Sequence, residues 1–62
     1  MKQFQAVRLL TNKHIDKGIK KGDIGFILED HVQGRYLVEF SDSNGITIVL
    51  DSFPQEELEF AE

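Results

Sequence analysis

Gly22 and Gly25 stand three residues apart, bracket Asp23-Ile24, and release the chain into the apolar run Phe26-Ile27-Leu28. This pattern constrains the fold more than any other in the chain. Gly22 is free to take a positive φ, and Gly25 lets another part of the molecule lie close against a strand. Together they carry a long polar loop into an extended segment, as a small β-barrel does between its first two strands. The run predicts architecture rather than chemistry.

The remaining segments agree. Residues 3–10 read as a first strand, with Val7 and Leu9 on one face and Phe4, Ala6, Arg8 and Leu10 on the other. Residues 11–22 form a lysine-rich loop in which Gly18 interrupts any helical turn and Ile19 tucks back into the core. Residues 23–30 are the second strand. His31-Val32-Gln33-Gly34 is a turn, with Gly34 as its positive-φ residue. Residues 35–41 alternate Tyr36, Val38 and Phe40 with Leu37, Glu39 and Ser41. Asn44-Gly45 predicts a type I′ hairpin into a β-branched strand over 46–50. Pro54 and the short span of 51–57 predict a 3₁₀ turn, and Leu58-Glu59-Phe60 closes as a fifth strand.

These elements predict an all-β fold: one domain over residues 1–62, a small five-stranded SH3-like barrel with a short 3₁₀ turn before the last strand. A five-stranded OB barrel needs a helix between strands three and four, and no segment here has room for one. The expected core is Val7, Leu9, Ile24, Ile27, Val38, Phe40, Ile48, Leu50 and Leu58, with Phe53 beside it.

The chain has no cysteine, so disulfides and thiolate chemistry are excluded. No apolar run reaches the roughly 18 residues of a membrane span, and residues 1–10 lack a signal-peptide pattern. A soluble, cytoplasmic protein without membrane contact is expected. The net charge of −4 is unevenly spread. Residues 1–22 carry +5, with Asp16 their only acid, whereas residues 23–62 carry −9, with Arg35 their only base. Either the two parts neutralise each other where first and last strands pair, or an acidic face is left for a basic partner.

Sites of chemistry are sparse. His14 and His31, with Asp16 or Asp30 nearby, are the only candidates for a metal site. They lie in different loops without ligand-type spacing, so the expectation is solvated histidines, no metal and no cofactor. Carboxylates are plentiful, but acid–base catalysis needs a cleft that shifts their pKa values. Ser41, Ser43 and Ser52 have no histidine near them in sequence. No enzyme activity is expected. One tyrosine and no tryptophan leave no aromatic ladder for proline-rich peptides.

In order along the chain, Gly22-Asp23-Ile24-Gly25, Val38-Glu39-Phe40 and Asp42-x-x-Gly45 resemble a family of short bacterial domains of unknown function, over Val7 to Leu58. The resemblance implies an SH3-type barrel. Because some members are encoded near toxin or effector genes, it also implies an immunity or antitoxin-like role. It carries over no catalytic residue. Phe26 departs from the pattern, which has a small or polar residue there, and is expected either to fill the core or to stand exposed as a contact. The glycine pair is also similar to the KOW motif, a nucleic-acid-binding relative of the same barrel.

The expected function is a non-enzymatic protein-binding module that meets a basic partner, such as a toxin domain, through Asp30, Asp42, Asp51, Glu56, Glu57 and Glu59. Glu62 extends that acidic tail. The alternatives are a KOW-like domain that touches phosphates through Lys13, Lys17, Lys20 and Lys21, and a homodimer joined edge to edge. The acidic balance makes nucleic acid the weaker expectation.

Overall fold

Alternation of apolar and polar residues produces five antiparallel strands in a computed structural model, which describes residues 5–30 and 33–61. Strand β1 spans Ala6–Leu9, β2 Ile24–Asp30, β3 Arg35–Ser41, β4 Thr47–Pro54 and β5 Leu58–Phe60. Single 3₁₀ turns lie at Ile15–Lys17 and Gln55–Glu57, the second in the place expected before the last strand. Phe4, His31, Val32 and Glu62, to which the sequence reading gave roles, lie outside the described residues. No helix among the described residues is long and apolar enough to cross a membrane.

The sheet order is β4-β3-β2-β1-β5. The first and last strands pair as expected, with Val7, Arg8 and Leu9 opposite Phe60, Glu59 and Leu58. The ladder does not close into the expected barrel, because β4 and β5 remain its two edges. The 3₁₀ turn carries the chain from β4 to β5, so these consecutive strands do not form a hairpin.

One face of the curved sheet holds the core: Val7, Leu9, Ile19, Val38, Phe40, Val49 and Phe53 are buried, with Ile27, Tyr36 and Leu58 packed against them. Ile19 returns from the first loop as its sequence context predicts. Gly25 supplies the close approach, since a Cβ there would lie 2.8 Å from two carbons of the Phe40 ring and 2.9 Å from the Glu39 carbonyl oxygen. The space that glycine leaves is filled by a core side chain.

Three expected core residues are instead exposed: Ile24, Ile48 and Leu50. On β2, Gly25 and Ile27 face inward opposite Phe40 and Val38, so Ile24 and Phe26 face out. On β4, Val49, opposite Phe40, and Phe53, opposite Tyr36, turn inward, so Leu50 turns outward opposite Glu39. A bulge between Phe40 and Ser41 places Thr47 rather than Ile48 opposite Ser41. The exposed Ile48 and Leu50 flank the inward Val49, and the inserted residue shifts the phase only on the hairpin side of it. Strand β4 also runs four residues beyond its expected end, to Pro54, which its edge position tolerates.

The β3–β4 turn differs from the type I′ expectation. The Gly45 N–H donates to the Asp42 carbonyl at 3.0 Å, and Gly45 itself takes φ +81°. This is a four-residue turn ending on a left-handed glycine, the second commonest hairpin solution. Asp42 Oδ1 holds it by accepting the N–H groups of Asn44 at 2.9 Å and Ile46 at 3.0 Å. The positive φ values expected at Gly22 and Gly34 are present.

Candidate partner-binding surface

The uneven charge of the chain becomes a set of long-range ion pairs. Arg8 on β1 meets Glu59 on β5 at 2.9 Å. From the first loop, Lys13 and His14 reach Glu57 at 3.4 and 2.9 Å, and Lys17 reaches Asp51 on β4 at 3.6 Å. The exposed pairs among them, Arg8–Glu59 and Lys17–Asp51, contribute roughly 0–1 kcal/mol each. Their main effect is to neutralise the first third of the chain against its last third. Lys20 pairs locally with Asp23 at 3.2 Å. Three of the four loop lysines therefore have a carboxylate beside them.

Glu57 is the most enclosed of these acids, its side chain 11% exposed. Burial pushes its pKa up, but the hydrogen bonds from His14 and Lys13 outweigh burial and hold it below its ordinary value of 4.5. The folded state therefore favours the carboxylate. The stabilisation is complete above the ordinary value and is lost as pH falls through the lowered one. Denaturation midpoints measured across acid pH are expected to fall more steeply for the native chain than for Glu57→Gln, and parallel profiles would refute the linkage. Asp51 is also held below its ordinary value, first by the Ser52 N–H that donates to its Oδ1 at 2.8 Å and then by Lys17.

The six acids expected to meet a partner thus divide. Glu57, Glu59 and Asp51 face cations of their own chain, and Asp42 organises a turn. Asp30 and Glu56 are exposed and have no ion pair among the described residues. These two approach one feature from different elements. Asp30 lies directly opposite Tyr36 in the β2–β3 ladder. Glu56, in the second 3₁₀ turn, lines a cleft of about 310 Å³ together with Tyr36, Gln55, Leu58 and Phe60.

The cleft has aromatic walls. The Tyr36 and Phe60 ring centroids are 6.2 Å apart, with ring planes inclined at 64°. Phe60 is 58% exposed despite being aromatic, whereas Tyr36 is half-buried at the core margin, as its alternation predicts. Phe60 carried no functional signal in the sequence, because it stands 24 residues from Tyr36 and only β1–β5 pairing brings its strand into the sheet. A second, more polar cleft of about 430 Å³ lies between the first loop and the β3–β4 turn, and its Lys20 and Asp23 neutralise each other.

Of the two roles open to Phe26, the structure shows the exposed one, on the outward face opposite Ala6 and Glu39. Edge strand β4 is partly blocked against strand addition. The Ser52 N–H is taken by Asp51, and its carbonyl accepts a hydrogen bond from Arg35 at 2.8 Å. His14 bonds Glu57 rather than Asp16, and no group of three metal-ligating side chains converges among the described residues.

The sheet of five antiparallel strands makes the described residues an all-β domain. The chain belongs to the family described as domain of unknown function DUF4926, whose model matches residues 4–60. No curated protein and no solved structure matches it.

Proposed function

We propose that this chain is a non-enzymatic protein-binding module whose partner is basic. The observation that carries this reading is the separation of its acids. Asp51, Glu57 and Glu59 are matched by cations of the fold, whereas Asp30 and Glu56 have no ion pair among the described residues. Glu56 lines the aromatic Tyr36–Phe60 cleft, and Asp30 stands opposite Tyr36 in the ladder. Aromatic contact area at the centre with acids at the rim suits a partner that presents apolar and basic groups together.

The sheet order and the 3₁₀ turn before β5 support the finer fold reading, an SH3-type arrangement. The finer functional reading is an immunity or antitoxin-like role. On that reading the partner is a toxin domain whose basic substrate groove is covered by this end of the sheet. The nucleic-acid reading draws no support from the loop lysines, three of which face carboxylates. The edge-to-edge dimer draws none from β4, where Ser52 is already occupied.

The product of the adjacent reading frame is the partner to test. Association is expected to be fast at low salt and to slow about tenfold as salt rises. Asp30→Lys together with Glu56→Lys is expected to slow it by a similar factor while leaving stability unchanged. An association rate insensitive to both salt and charge reversal would overturn the proposal, as would the absence of any complex.

A further inference from the structure

Resting on that reading, we propose that the cleft lined by Tyr36, Gln55, Glu56, Leu58 and Phe60 is a receptor for an arginine side chain of the partner protein. The Tyr36 and Phe60 rings meet edge to face, 6.2 Å apart and inclined at 64°, so a cation is received over the exposed face of Phe60 rather than between the rings. Leu58, on β5 with Phe60, adds an apolar surface. A cation over an aromatic face is attracted by the ring quadrupole. Glu56 supplies a full negative charge at the same cleft, and Asp30 stands opposite Tyr36 on the neighbouring strand.

Arginine fits this combination better than lysine. Its planar guanidinium stacks on aromatic rings and meets a carboxylate through two parallel N–H donors. It is also more weakly hydrated than an ammonium group, which suits a cleft that does not enclose its occupant. Gln55 offers a neutral acceptor for a remaining donor. The outward apolar side chains Ile24, Phe26 and Leu50 lack this complementarity, since the acid standing between Phe26 and Leu50 in register is Glu39, which already bonds Thr47.

The probe is a short blocked peptide, acetyl-Gly-Arg-Gly-amide, titrated into the full chain and followed by amide chemical shifts. Shifts are expected at Tyr36, Gln55, Glu56, Leu58 and Phe60. The matching citrulline peptide, which keeps the shape and loses the charge, is expected to produce almost none. Glu56→Gln and Phe60→Leu are each expected to weaken the arginine peptide about threefold. Both sites are exposed, and unchanged shifts elsewhere confirm that each variant folds. Equal response to citrulline, tighter binding of the lysine peptide, shifts centred elsewhere, or no shifts would overturn the assignment. If the peptide fails while the partner still responds to charge reversal, the cleft assignment falls and the module stands. If the peptide binds and the partner does not respond, the module falls.

Discussion

Phe53→Ala is expected to destabilise the protein by about 3–5 kcal/mol. Phe53 is 1% exposed, packs edge-on against Phe40 at 5.4 Å, and meets His14 at 5.1 Å. Its loss removes the side chain that joins β4 to both the core and the first loop. A chain of 62 residues has a margin of roughly 3–9 kcal/mol, so between about a third and all of it disappears. Chemical denaturation reads the effect directly. Phe26→Ala and Leu50→Ala, on the outward face, are expected to cost less than about 1 kcal/mol. A Phe53→Ala variant with a native midpoint would show that the core has been wrongly placed.

Gly25→Ala is expected to cost about 2–3 kcal/mol, although it adds only one methyl group. That methyl meets two carbons of Phe40 at 2.8 Å and a backbone oxygen of Glu39 at 2.9 Å. The ring is held in the core and the carbonyl belongs to the paired strand, so neither yields easily. Adding Phe40→Leu to Gly25→Ala relieves the ring contact but not the carbonyl contact. The double variant is therefore expected to be less unstable than the two single effects combined. Simple additivity would rule out the Phe40 ring as the source of the cost.

Local signals in the sequence foretold much of this architecture. Val7 and Leu9, and Val38 and Phe40, alternate where the strands are regular, and their burial follows from period two alone. Positive φ at Gly22 and Gly34, the return of Ile19 and the second 3₁₀ turn follow from local chemistry. Of the misplaced residues, Ile24 lies on β2 beside the inward Gly25, and Ile48 and Leu50 lie on β4 on either side of the inward Val49. In Ile46-Thr47-Ile48-Val49-Leu50 every side chain suits a strand, so composition gives no sign of which alternate set faces inward. The phase is set by Phe53 and Val49, through pairing with Tyr36 and Phe40.

The candidate site was less legible. Charge singles out the six acids, but which of them are neutralised depends on contacts across 34 to 51 residues of chain, such as Lys17 with Asp51, His14 with Glu57 and Arg8 with Glu59. The surroundings of Tyr36 depend on a second irregularity. A register shift between Ile27 and Glu29 places Asp30 opposite Tyr36, and an unbroken ladder would place Glu29 there. Nothing in the composition of β2 announces that extra residue.

The position of β1 between β2 and β5 bears on the order of assembly. The β2–β3–β4 meander closes through short turns, at small loss of chain entropy. The β1–β5 ladder joins Arg8 to Glu59 and must close nearly the whole chain. Contacts between such distant segments slow folding. The meander is thus the least demanding unit to nucleate, and the walls of the aromatic cleft, Tyr36 on β3 and Phe60 on β5, meet only when the last strand docks. On the proposed reading, competence to bind is in this way tied to completion of the fold.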